Sequence, residues 1–394
     1  MARSIPALVK PELLIWARES AGFRSVHDVA KLAGIDAATL EEWEAGHDVP
    51  SVAELRKLGE FYKRPIAVFF LAEPPRRFDA QREFRRLAGT VFGKESPELL
   101  LALRWSVFRR DAALELRRLT GEKPEELGAI LHPRIEVEEG GRRIRELLGI
   151  AWESQVEWGS AYEALNAWRA AMEARGVLVF QTSDVLLDEM RATCVPDQPL
   201  PVILLNAKDA PHGRVFSMLH EFAHILLHAG GHHTSRMVGV RSPEEQPLEV
   251  AANAFAAAAL LPKDAFTKLA QQYRAAPRGN DDSLRSLAQK VKVSPEVILR
   301  RLATLQLAPE NVYRRKRDEW GARLWYVPGP SSGGPPIQVK TIAKDGPAYT
   351  RLVLDAYDQR LINTSAASDY LGVKPRHFPN IRRELSQRPV LAHA

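Results

Sequence analysis

The chain is 394 residues long, 45% hydrophobic and 26% charged, with a net charge of +6 and a pI near 9.4. That length supplies apolar material for more than one core, so two to four compact units are expected. No apolar run is long enough to span a bilayer, and the single cysteine, Cys194, excludes an internal disulfide or a thiolate metal cluster.

The opening MARSIPALVKPELLIWARES is too broken by Lys, Pro and Glu to read as a signal peptide. With one cysteine and no membrane span, a reducing cytoplasm is the expected location. The mild basicity permits nucleic-acid contact without requiring it.

In chain order, Ser25 followed by Asp28 is a capping signature that opens SVHDVAKLAG. Gly34 supplies a turn, Asp36 caps the next helix, AATLEEWEAG, and Pro50-Ser51 opens VAELRKLGEFY. Two short helices around a glycine turn predict a helix-turn-helix within residues 1–75. Residues 76–150 read as a helical connector, with helical periodicity over Leu99–Leu119 and Arg142–Leu148. From Ser160 the pattern changes: AYEALNAWRAAMEARG is an amphipathic helix, and VLVFQT, MRATCV and PVILLN read as strands. The helix FSMLHEFAHILLH, a polar loop and an alanine-rich helix ending at Pro262 complete an α+β domain over 151–265. Residues 266–326 form a helical unit in which SLRSLAQKVKVSPEVILRRLATLQL again reads helix, turn, helix, with Pro295 in a first turn. A linker is placed at 327–345, beginning with VPGPSSGGPP, and a last helical unit at 346–394. The expected fold class is therefore α+β and mostly helical.

His220-Glu221-Phe222-Ala223-His224 is an HExxH pattern on a helix. Residues i and i+4 share a face, so both imidazoles can reach one cation. Glu221 sits about 100° round the helix, where it can touch water at the metal without occupying it. A chance match in a chain like this has a probability of roughly one or two in a hundred. A third ligand is needed. His228 extends the same straight helix, and three ligands along it would span about 12 Å, too far to converge. His232 and His233 follow a Gly-Gly break and can fold back. The stronger candidate is Glu249 in PLEVAANAFAAAALLP, a helix opened by Pro247 and closed by Pro262. Asn253, at i+4 from Glu249, is placed to accept a hydrogen bond from a ligating histidine. Two histidines and one glutamate leave a coordination position open, the arrangement of a catalytic zinc site. Cys194 reads as core.

On these residues the chain resembles the ImmA/IrrE family of zinc metallopeptidases: strand PVILLN, then RVFSMLHEFAHILLH, then EVAANAFAAAALLP. WEAGHDVPSVAELRKL resembles an Xre-type helix-turn-helix, and GPAYTRLVLDAYDQRLINTSAASDYLGV resembles a tail of members fused to such a module. The resemblance implies a gluzincin-like domain with a small sheet, Zn2+ held by His220, His224 and Glu249, and Glu221 as general base. It implies a protein substrate, a helix-turn-helix repressor or antitoxin, whose cleavage relieves repression. The chain departs from the pattern at Ala251, where many members carry a glutamate.

Zinc would polarise a peptide carbonyl and lower the pKa of its water, and His228, His232, His233 and Arg236 are all eligible to stabilise an oxyanion. The second helix of the first motif works against DNA reading. From Asp36 to Asp48 it carries five acidic residues and no lysine or arginine, which repels a phosphate backbone. That module reads as a docking or dimerising unit, so an oligomer is compatible with the sequence. Lys290, Lys292, Arg300 and Arg301 give the later unit a better electrostatic footprint for DNA, although a solvated helical bundle is the simpler reading of them. The competing functional reading is a helix-turn-helix regulator or antitoxin whose metal site is sensory or vestigial.

Overall fold

The computed structural model describes residues 6–21, 23, 25–62, 64, 66–74, 96–124, 126–128, 130–228, 246–321 and 334–387. They fall into two compact units, one reaching Phe108 and the other beginning at Arg109. Among the described residues no helix is long and apolar enough to cross a membrane.

The first unit contains α1 (Pro11–Ser20), α2 (Val26–Ala33), α3 (Ala37–Ala45) and α4 (Val52–Tyr62), a 3-10 turn at Ile66–Phe70, and the start of α5 (Pro97–Thr120). Its caps follow the sequence. Ser25 accepts from the His27 amide at 3.1 Å, and Asp36 accepts from the Thr39 amide at 3.2 Å. Ser51 and Glu54 satisfy each other's backbone amides as a capping box. Gly34 ends α2 at φ 62°, a left-handed conformation that costs glycine little. Leu14, Ala17, Phe23, Leu40, Trp43, Leu55, Leu58, Tyr62 and Phe69 are buried together. Ala38, Glu41 and Glu42 of α3 stay exposed. Glu44 is spent internally, accepting from the buried Arg18 Nε at 2.9 Å.

The second unit is built on a three-stranded sheet, β1 (Leu178–Thr182), β2 (Ala192–Val195) and β3 (Val202–Asn206). Its order is β1-β3-β2, with β1 parallel and β2 antiparallel to the central β3. β1 and β3 are buried along their whole length, as their unbroken apolar runs require. Helices α6 (Val137–Leu148), α7 (Trp152–Glu157) and α8 (Ala161–Ala174) precede the sheet, and α9 (Pro211–His228) and α10 (Gln246–Leu260) follow it. One core joins them through Trp168, Met172, Ile203, Leu205, Phe222, Leu226, Phe255 and Leu260.

Small residues set how closely α6 and α10 approach. A Cβ added at Gly141 would lie 2.5 Å from the Cβ of Ala258, and one at Gly140 would lie 2.4 Å from the Phe255 ring. Helices α11 (Lys263–Ala270), α12 (Asp281–Val291), α13 (Pro295–Thr304) and α14 (Glu310–Gly321) continue the body.

The residues Ile337–Asp345, read from the sequence as the end of a linker, are helical (α15). α16 (Pro347–Asp358), α17 (Thr364–Leu371) and α18 (Phe378–Ser386) follow. α15 is short and flanked by proline and glycine, so it carries too little periodicity to be seen in the string. Its partners are distant in sequence. Asp345 pairs with the buried Arg109 at 2.6 Å, and Arg169 Nη1 and Gln181 Nε2 each donate to the Ala343 carbonyl at 2.8 Å. At Gly346 any side chain would meet Glu173, Arg169 and the Val179 carbonyl, so the chain passes there only as glycine.

Candidate metal centre

The site stands between α9 and α10. α9 buries Leu219, Phe222, Ala223, Ile225 and Leu226 in the core, which leaves His220 and His224 on the face toward α10. Their Nε2 atoms are 3.1 Å apart. The Glu249 carboxylate reaches across from the first turn of α10, one oxygen 3.2 Å from His224 Nε2 and the other 3.6 Å from His220 Nε2. Donor atoms of these three residues lie within 4.8 Å of one another. His224 is buried, and His220 and Glu249 are 16% and 13% exposed at their side chains, so solvent reaches the cluster from one side.

These spacings can be tested against a cation. Four ligands about 2.0–2.1 Å from a tetrahedral ion stand about 3.3 Å from each other. The three observed separations bracket that value. Two imidazoles and one carboxylate also suit a divalent first-row metal in charge and softness. The residues present therefore fit a metal.

Glu221 lies beside this cluster and is buried. Burial pushes its carboxyl up to about 6; His224 and a hydrogen bond with Cys194 pull it back, and the charge of Glu249 raises it further. Burial, then the neighbouring carboxylates, pushes the Cys194 thiol well above its ordinary value, so sulfur keeps its proton and donates it to Glu221. Nothing local marks Cys194 for this part; it comes from strand β2, and only the tertiary fold brings it to α9.

The far end of the helix that carries Glu249 is anchored by buried side chains. A helix leaves its last carbonyls without intrahelical partners, and here buried side chains take them. Arg145 Nη1 donates to Ala259 O at 2.8 Å, Gln155 Nε2 to Leu260 O at 3.0 Å, and Arg301 Nε to Leu261 O at 2.9 Å. Cationic groups at a helix C-terminus also complement its dipole. Arg301, proposed from the sequence as a DNA contact, is thus 2% exposed, and its guanidinium is closed by Glu138 at 2.6 Å. A side chain buried this way is not presented to a nucleic acid. Lys290 and Arg300 are exposed, and Lys292 is half-buried with its Nζ donating to Gln289 O at 2.6 Å.

Asn253 Nδ2 donates to the Glu249 carbonyl at 2.9 Å, so the amide nitrogen bonds back onto its own helix. The side chain of His228 and residues His232, His233 and Arg236 lie outside the described residues.

Comparison with known families agrees with both halves of this picture. Residues 172–303 match the peptidase-family model described as an IrrE N-terminal-like domain. Residues 14–69 match the model described as a helix-turn-helix. No curated protein and no solved structure matches the chain. The chain carries an IrrE-like peptidase domain behind an N-terminal helix-turn-helix of the Xre type.

Proposed function

We propose that the protein is a zinc-dependent endopeptidase of the cytoplasm that cuts a DNA-binding repressor or antitoxin and so relieves transcriptional repression. The observation that carries this reading is the convergence of Glu249 on His220 and His224, two imidazoles and a carboxylate at metal-ligand spacing. Zn2+ held by these three residues would supply a Lewis acid for the scissile carbonyl and make water acidic near neutral pH.

Proton transfer falls to Glu221. A carboxyl near 6 is ionised at neutral pH, so a carboxylate oxygen can take the proton of the attacking water. The same group is then acidic enough to pass that proton to the departing amine nitrogen. The Cys194 S–H hydrogen bond restrains the carboxylate, and burial keeps competing bulk water from it. The protein substrate accords with the N-terminal helix-turn-helix, whose acidic α3 suits docking to a basic DNA-binding protein better than to DNA itself.

The test uses the purified chain with added Zn2+ and a panel of purified helix-turn-helix repressors and antitoxins as substrates. Mass spectrometry should find defined fragments with the wild type and none with Glu221→Gln, while the variant keeps its zinc. If Glu221→Gln leaves the regulatory output in cells unchanged, the site is sensory or vestigial and the peptidase reading fails.

A further inference from the structure

Among the described residues three helix pairs have the shape of a DNA-reading motif, and they differ in what their second helix offers. In the first, α3 exposes Glu41 and Glu42 and has no basic residue. In the second, α13 has its Arg301 buried on Glu138 and Leu261. The third pair, α17 and α18, is the one whose outward face is basic.

Its geometry is that of a helix-turn-helix with α16 as the supporting helix. Asn363 caps α17, accepting from the Ala366 amide at 2.9 Å. Gly372 then turns the chain at φ 65°, and Ser368 Oγ braces the turn by donating to the Val373 carbonyl at 2.7 Å. A 3-10 turn at Pro375–His377 runs directly into α18. Ala367 and Leu371 of α17 and Phe378, Ile381 and Leu385 of α18 are buried, and Phe378 meets Tyr357 of α16 edge-on.

The opposite side of α18 is exposed. Asn380 and Arg383 lie on that side, flanked by exposed Arg376 in the 3-10 turn and Gln387 at the C-cap, with Lys374 exposed just before them. Arg382 is turned the other way, pairing with Asp355 at 3.3 Å and with Asp358. Between Lys374 and Gln387 the sole acidic residue is Glu384, which is half-buried. Thr364 and Ser365 are exposed at the start of α17, where hydroxyls and backbone amides hold phosphates in such motifs. In sequence-independent binding arginines neutralise phosphate oxygens, and arginine and asparagine can also pair bidentately with guanine and adenine edges in the major groove.

We infer that α17 and α18 form a duplex-DNA-binding surface, with α18 as the helix that enters the major groove. This goes beyond the proposed cleavage reaction and does not depend on it.

The test is fluorescence anisotropy of the full chain with a random-sequence duplex of about three helical turns, titrated from about 50 to about 200 mM salt. The wild type should bind with a steep salt dependence. Arg376→Ala combined with Arg383→Ala should weaken binding about tenfold or more and lower the log–log salt slope by about 2. Lys290→Ala with Arg300→Ala, in the second helix pair, should leave both quantities unchanged. Circular dichroism melting checks that each variant folds. Absence of duplex binding by the wild type overturns the inference, and so does binding lost only in the Lys290/Arg300 variant. An unchanged salt slope in a folded Arg376/Arg383 variant overturns it equally.

Discussion

The guanidinium of Arg301 closes on the carboxylate of Glu138 at 2.6 Å while its Nε holds the carbonyl of Leu261. One side chain of α13 therefore ties α6 to the end of α10, the helix whose other end carries Glu249. Removing it leaves the Leu261 carbonyl without this donor and the Glu138 carboxylate, 28% exposed, with the Lys263 amide but no cation. Arg301→Ala should lower stability by about 2 kcal/mol, as losing charged hydrogen bonds does, and should weaken zinc retention. Denaturant unfolding and metal content measured on the same preparation check both. A neutral effect on stability would mean that this clamp is not what positions α10.

The α6–α10 contact offers a separate test. Alanine favours a helix over glycine by about 1 kcal/mol, so Gly141→Ala would stabilise an unconstrained helix. Here the new Cβ would lie 2.5 Å from Ala258 Cβ and within 2.7 Å of backbone atoms of α10, which cannot give as a flexible side chain would. Overpacking should win, with a net loss of about 1–3 kcal/mol. Thermal melting that shows Gly141→Ala more stable than wild type would contradict the spacing.

Metal content should separate the roles of the two glutamates. Glu249→Ala removes a ligand atom and should lose most bound zinc, whereas Glu221→Gln should keep it and slow cleavage by on the order of 10²–10⁴-fold. Ligation needs both imidazoles neutral, so zinc affinity should fall as pH drops through the histidine range near about 6.5. Elemental analysis after dialysis across that range reads the loss directly. Full zinc retention by Glu249→Ala would assign the third position to another residue.

Cys194 is buried and its thiol is held well above its ordinary value. With no thiolate at neutral pH, the folded protein should resist alkylation and should label fully once unfolded, because the thiolate is the reactive form. Mass spectrometry of the labelled chain gives the answer. Stoichiometric labelling under native conditions would show that Cys194 is not enclosed beside Glu221.

What the sequence displays of this site is its local part. The i, i+4 spacing of His220 and His224 is visible in the string because helical periodicity alone places them on one face. Glu249 was within reach of reasoning because Pro247 and Pro262 bound its helix and alanines let it approach. Its actual distance from His224 depends on contacts far away in sequence. Arg145, Gln155 and Arg301 hold the end of α10, and no local pattern distinguishes a buried arginine from a solvated one. The three strands were legible from their apolar runs. α15 was not, since its helicity is supported by Arg109, Arg169 and Gln181, all of them more than 150 residues earlier.

That dependence has a consequence for how the molecule is made. The family match ends at residue 303, yet the face of β1 is completed by α15 and by Tyr349, whose ring meets Phe180 edge-on at 5.6 Å. A nascent chain that has just released its histidines and Glu249 from the ribosome still has a sheet with one flank bare. The body around the sheet reaches its finished form only after a helical segment that looks like an appendage has been translated, so premature termination there should yield an aggregation-prone protein and not a shorter working one.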